Sequence, residues 1–321
     1  MKNLFCRWLT KAVYLCFIVF STLAYSDTRL SATQVNELIN QTLVVFSENY
    51  IDANATQYVS SVISSRLEQG VYKDITTLAE FAEVVGRDIR NISGDVHISL
   101  MVQNPNEPLT HILPSKSGRL SYNHAFEEVK YIFGNIGYLK LNKFHPAENA
   151  LRTADIALSF LQNSDGLIID LRDTIGGSPK LVQHMLSYFF DSGTMLWTVE
   201  KRDNSLNDII TVKTTPVHKR FKKDFPVWLL TSQTTASASE LFAGVLQDRG
   251  KAKVIGGVTA GAGFYVGVRK ITDELTFRIS LAKPTLPISG ENWEKKGIQP
   301  DFHTDPIDAF DAAFAKSLGA K

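Results

Sequence analysis

Cysteine is nearly missing from this 321-residue sequence: only Cys6 and Cys16 occur, both within the first 26 residues. Once that segment is set aside the chain has no thiol, which excludes disulfides, thiolate metal sites and a cysteine nucleophile. No run of basic residues is present either, so nucleic acid is not an expected partner. A Walker loop and metal-binding His/Glu spacings are absent. Gly261-x-Gly263 lacks the third glycine of a dinucleotide fingerprint, with Val266 standing in its place. No cofactor and no metal are therefore expected.

What is present begins with a leader. Lys2, Arg7 and Lys11 precede an apolar stretch from Ala12 to Phe20, and Ala24-Tyr25-Ser26 forms a small-x-small cleavage site. The apolar part is short of the roughly 20 residues of a comfortable membrane span. Residues 1–26 read as a signal peptide, with an uncleaved anchor as the alternative. Cys16 lacks the small preceding residues that lipidation wants. The expectation is a protein exported to the periplasm or secreted, without stable membrane insertion after cleavage. Removal of the leader leaves 31 basic against 33 acidic residues, a net charge of −2.

From Ser31 to about Ile92, three segments carry apolar residues three and four apart, punctuated by Asn, Asp, Gly and Ser. They predict a three-helix unit. "GDVHISLMVQ" then alternates like a strand and places His97 within it. Residues 27–102 thus form an N-terminal helical cap, and the polar, proline-bearing residues 103–125 form a linker. Over 126–321 strands and helices alternate: "GNIGYLKLNKF", "AENALRTADIALSFLQN", "GLIIDLRD", "SPKLVQHMLSYFF", "PVWLLTS" and "KAKVIGG". That order predicts an α/β core with a largely parallel sheet.

Four polar features stand at the edges of these elements. Ser237 in "TTASASELFAG" lies three places before Glu240 and an apolar helical run, the pattern of a capping box. A serine there is also held where backbone amides and the helix dipole converge. "LIIDLRDTIGGSP" ends a strand and breaks into Gly176-Gly177, which is either an ordinary turn or a pair of amides aimed at a ligand. An oxyanion between them would meet the Ala238 amide on one side and the Gly176 and Gly177 amides on the other. The glycines of a Gly-x-Ser-x-Gly elbow are missing. His97 is either a packed strand residue or a base, and Glu294 in "ENWEKKGIQPDF" is a loop carboxylate before a turn.

In combination and order, "GDVHISL", "IIDLRDTIGG", "TASASELFAGVLQDRGKAKVIGGVTAGAG" and "EKKGIQPDF" resemble the C-terminal processing (tail-specific) serine peptidase family. The helical N-terminus, with no recognisable PDZ segment, is most similar to the branch holding the interphotoreceptor retinoid-binding protein modules and the tricorn-type core. The resemblance implies a ClpP/crotonase-like α/β core with an N-terminal three-helix cap. It implies Ser237, not Ser239, as nucleophile, with oxyanion donors at Ala238 and at Gly176-Gly177. One departure matters: the processing peptidases carry a lysine base in Thr-x-Gly-Lys-Gly, whereas here Thr259-Ala260-Gly261-Ala262-Gly263 stands. A methyl group takes no proton. The tricorn-like branch uses histidine and glutamate, and His97 and Glu294 match those places. That branch links the two through a serine beside the histidine; here Val96 stands there, which leaves the coupling open. The implied activity is endopeptidase action on a peptide or protein substrate. The alternative is a binding protein for a hydrophobic ligand or peptide on the same scaffold.

Overall fold

A computed structural model describes residues 29–103, 122–202 and 207–319. The expected leader and most of the expected linker lie outside these residues.

Three helices open the fold: α1 (Ala32–Asn49), α2 (Ala53–Glu68) and α3 (Leu78–Ser93). Each starts on a side-chain cap. Ser31 and Gln34, and Thr77 and Glu80, satisfy each other's amides, and Asp52 accepts from Asn54 and Ala55. Phe81, Ala82, Val85 and Ile89 of α3 recur at helical spacing and are buried. After α3 the chain turns through Gly94 into a short strand, β1 (Ser99–Val102). His97 lies in the turn before β1 rather than within the strand, a shift from the alternation reading.

The remaining elements in chain order are β2 (Phe126–Ile132), β3 (Ile136–Leu141), α4 (Asn149–Phe160), β4 (Gly166–Asp170), α5 (Pro179–Leu186), β5 (Met195–Arg202) and β6 (Asn207–Lys213). They continue with β7 (Val227–Thr231), α6 (Ala238–Asp248), β8 (Lys253–Gly256), β9 (Tyr265–Lys270), β10 (Leu275–Thr285), β11 (Phe302–His303) and α7 (Ala309–Gly319).

One sheet has the order β11-β8-β7-β4-β3-β2, parallel except for the β2–β3 pair. Its central strands are buried on both faces, as parallel strands between helices are. Leu139, Leu167, Ile169, Val227, Leu229 and Val254 join the core beneath α4, α5 and α6. Their neighbours Tyr138, Ile168, Trp228, Leu230 and Ile255 face Ala309 and Ala313 of α7. The alternation is the period-2 pleat written into two cores.

The second sheet, antiparallel throughout, has the order β1-β10-β5-β6 with β9 also paired to β10. The helical unit packs on it: Val35, Ile39, Phe46, Val59, Ile63 and Val85 share one core with Leu275, Phe277 and Ile279 of β10. Phe46 stacks on Tyr50 at 4.7 Å and on Phe277 at 6.0 Å between centroids. Truncating such a ring to alanine costs about 3–5 kcal/mol. The expected cap is thus joined to the rest through a sheet that the sequence reading did not anticipate.

Candidate active site

Ser237 sits where β7 has ended and α6 begins, at the C-terminal edge of the parallel sheet. Its backbone holds φ 55° and ψ −119°, a region that side chains other than glycine rarely enter. The surrounding structure enforces that turn. Thr235 donates from its hydroxyl to the Leu171 carbonyl (2.9 Å), and Ser232 from its hydroxyl to the Arg172 carbonyl (2.5 Å). The Ala236 amide donates to the Thr174 carbonyl (3.1 Å). The elbow geometry is present although its glycines are not.

The segment that receives these bonds is fixed in turn. The Arg172 guanidinium grips the Asp170 carboxylate with two donors (3.0 and 2.6 Å) and reaches the Pro306 carbonyl (2.8 Å). Burial pushes the Asp170 carboxyl up, but the Arg172 bonds and charge outweigh it and hold it below the usual carboxylate range. Asp170 and Arg172 therefore brace the loop that carries Gly176 and Gly177. Those glycines have φ of 97° and 137°. A Cβ at Gly177 would lie 2.0 Å from the Phe144 carbonyl oxygen. Among the described residues the Gly176, Gly177 and Ala238 amides have no hydrogen-bond acceptor.

Glu240 is fully buried and does more than cap. Its carboxylate accepts from the Ser237 amide (2.7 Å), the Thr259 hydroxyl (2.5 Å), the Gly261 amide (2.7 Å) and the Ala262 amide (2.8 Å). The Ser237 turn and the 259–262 loop are thereby tied to one anion. Ser239 is also fully buried and donates to the Thr174 carbonyl (3.3 Å), whereas Ser237 is half-buried.

Directly after Ala262, the Gly263 amide donates to Glu294 Oε2 (2.6 Å). Glu294 Oε1 is buried and has no partner. Burial above all, then the charge of Asp95, pushes the Glu294 carboxyl up to about 8. The next residue, Lys295, donates from its amide to the Gly261 carbonyl (2.8 Å) and from Nζ to the Ser93 carbonyl (2.5 Å), which closes the path to the end of α3.

There the chain reads Asp95-Val96-His97. His97 is 5% exposed. Its Nδ1 lies 3.1 Å from Asp95 Oδ1, which also accepts the His97 amide (2.8 Å). Asp95 Oδ2 accepts from the Ser280 hydroxyl of β10 (2.6 Å). Arg278 donates to the His97 carbonyl (2.9 Å). His97 Nε2 is buried without a partner.

The structure thus brings Ser237, Gly176 and Ala238 into contact, and sets Glu294 against the same 259–263 loop. His97 lies in the turn between α3 and β1, held by Asp95 and Arg278. No hydrogen bond joins Ser237 to His97, or Glu294 to His97, among the described residues. His97 Nδ1 faces Asp95, a residue present in "GDVHISLMVQ" but given no part in the sequence reading. The Asp-x-His spacing was its signal; Ser280 left none. Among the described residues no helix is long and apolar enough to cross a membrane.

A model of peptidase family S41 matches residues 135–304. The carboxyl-terminal-processing protease of Picosynechococcus sp. is 28% identical over 207 residues, covering 64% of this chain and 48% of that protein. The carboxy-terminal processing protease CtpB of Bacillus subtilis is 27% identical over 221 residues, covering 67% and 44%. The chain spans less than half the length of these curated relatives. In fold it is similar to a putative peptidase from Parabacteroides merdae (TM-score 0.65, 19% identity, 90% of this chain and 97% of that one). It is also similar to the photosystem II D1 C-terminal processing protease (TM-score 0.57, 16% identity, 85% and 93%). With the matched segment running from β3 through β11 and carrying Ser237, the chain belongs to peptidase family S41.

Proposed function

We propose that this protein is an exported serine endopeptidase, acting in the periplasm or outside the cell, in which Ser237 is the nucleophile and His97 its base. The observation that carries the reading is the strained Ser237 turn at the start of α6. Backbone strain at a helix entrance, held by bonds from a neighbouring loop, has no packing reward of its own and is the geometry of an activated serine. In this mechanism His97 Nε2 takes the Ser237 proton as the hydroxyl attacks a peptide carbonyl. The amides of Ala238 and of Gly176 or Gly177 receive the oxyanion. The imidazolium then protonates the departing amine, and water hydrolyses the acyl-enzyme by the same route. Catalytic hydrogen bonds often tighten only when substrate is bound, which fits a His97 whose Nε2 is still without a partner. Glu294 bonds to Gly263 and not to the imidazole, so in this scheme it supports the 259–263 loop and has no direct hold on the base.

The carrier alternative gains no support from the neighbouring cleft. That cleft, of about 390 Å³, is lined by Tyr50, Asp52, Phe264, Lys283, Glu294 and Lys295 among others. Its charged lining suits a peptide better than an apolar ligand.

The test is labelling by a fluorophosphonate together with turnover of a quenched peptide. Ser237→Ala is expected to abolish labelling and to lower turnover by about 10³-fold or more. Ser239→Ala is expected to retain labelling at Ser237. Metal chelators are expected to leave both readouts unchanged. Full labelling of the Ser237→Ala protein overturns the assignment.

A further inference from the structure

Two carboxylates are candidates for orienting the base, and they differ in how they are held. Asp95 is 0% exposed and has both oxygens engaged: Oδ1 by the His97 ring and amide, Oδ2 by Ser280. Glu294 has one oxygen on Gly263 and the other bare. From these geometries we infer that Asp95, not Glu294, is the positioning residue of the nucleophilic unit, holding His97 as the Nδ1–H tautomer through a hydrogen bond. This rests on the reading of Ser237 and His97 given above.

The chemistry follows from the donor inventory. A neutral imidazole has one N–H and one lone pair. With Nδ1 donating to Asp95 Oδ1, the lone pair is on Nε2, the atom without a partner. A serine proton has only that place to go. When it arrives, the new positive charge lies against an anion whose position Ser280 has already fixed, so little reorganisation is needed. Asp95 precedes its histidine by two residues in a turn, and the backbone amide bond from His97 to the same oxygen locks the pair's orientation.

The charges around the pair support the division of roles. Tyr50 at the end of α1, Glu294 from the loop and Arg278 from β10 interact electrostatically with Asp95, Ser280 donates to it, and Lys295 lies beside Ser93 and near Glu294. Burial pushes the Asp95 carboxyl up, but the His97 bonds and charge and the Ser280 hydroxyl outweigh it and hold it below the usual carboxylate range. Glu294, pushed up to about 8, keeps much of its proton near neutrality. Two buried carboxylates this close divide the ionisation unequally, and the one with more donors keeps the charge.

The experiment is ¹⁵N NMR of the imidazole of His97 in the full chain, paired with kinetics. The wild-type ring is expected to show the Nδ1–H tautomer. Asp95→Asn, whose amide can turn a donor toward Nδ1, is expected to shift it to Nε2–H and to lower kcat by about 10²- to 10⁴-fold, with KM changed less than about 3-fold. Glu294→Gln is expected to keep Nδ1–H and to lose less than about 10-fold. A wild-type ring in the Nε2–H form overturns the inference without any variant. So does a Glu294→Gln protein that switches tautomer while Asp95→Asn does not. The tautomer reports on Asp95 whether or not peptides are cleaved, whereas fluorophosphonate labelling of Ser237 reports on the peptidase reading, so the two fail separately.

Discussion

A Cβ built on Gly176 would lie 2.8 Å from the Ser237 Cβ and 3.0 Å from the Ala238 nitrogen. The two loops that meet there are separated in sequence by α5, β5, β6 and β7, yet they leave no room for one methyl group. Gly176→Ala also needs φ near 97° and a contact of 2.7 Å with the Ala236 carbonyl oxygen, which is backbone and cannot step aside. The expected outcome is a loss of about 1–3 kcal/mol in urea denaturation, with fluorophosphonate labelling of Ser237 nearly lost. Normal labelling in a folded Gly176→Ala protein would count against an oxyanion site at this contact.

Strain at Ser237 makes a stability prediction of unusual sign. Ser237→Gly relieves a backbone that only glycine adopts freely, whereas Ser237→Ala keeps it. Both variants are expected to be inactive, but the glycine variant should be more stable than the alanine variant by about 1 kcal/mol or more. Equal melting temperatures would mean that the turn stores no strain.

Glu240 is predicted to be more sensitive than a helix cap. Converting it to Gln puts an amide group where two donors now point, because each carboxylate oxygen accepts two of them. A buried donor left without an acceptor costs about 1–3 kcal/mol. Glu240→Gln is therefore expected to lose about 2 kcal/mol or more by chemical denaturation. A loss below about 0.5 kcal/mol, the scale of a weak cap, would refute the clamp.

Glu294 gives the folded state an opposite pH dependence to Asp95. The folded protein holds a proton at Glu294 up to about 8, while the unfolded chain releases it near 4.5. The contribution is full below the unfolded value and is lost as pH rises through the folded one. Melting temperature is expected to fall from about pH 5 to pH 9 in the wild type more steeply than in Glu294→Gln. At Asp95 the carboxyl is held low, so its contribution is present at neutral pH and disappears in acid. Parallel wild-type and Glu294→Gln curves across that window would disprove the Glu294 part.

How much of this was legible beforehand depended on range. The parallel sheet announced itself because β4, β7 and β8 are short apolar runs set between helices with recognisable starts. Ser237 and the glycine pair lie at the ends of those runs, where local pattern is strongest. The antiparallel sheet was not legible, since β9 is a partly exposed strand without alternating burial and β10 gains its burial from helices far away in sequence. Glu294 was found by its place in an ordered set of motifs, which carries no information about which atom it bonds. Asp95 was in plain view beside His97, but its function depends on Ser280, and no local pattern joins those two.

The Asp95–Ser280 hydrogen bond spans 185 residues of chain, and the Lys295–Ser93 bond spans 202. Closing loops of that length is entropically costly and slow, so such contacts belong to the late stages of folding. The parallel sheet can bring its serine to the helix entrance through contacts of shorter range, such as the Thr235–Leu171 bond that spans 64 residues, but the histidine arrives only when β10 has docked beneath the N-terminal helices. On the proposed assignment, a chain still being synthesised or threaded through a membrane carries its nucleophile and its base on separate, unjoined pieces. Proteolytic competence then becomes a certificate of completed folding, issued to no intermediate that could damage its neighbours.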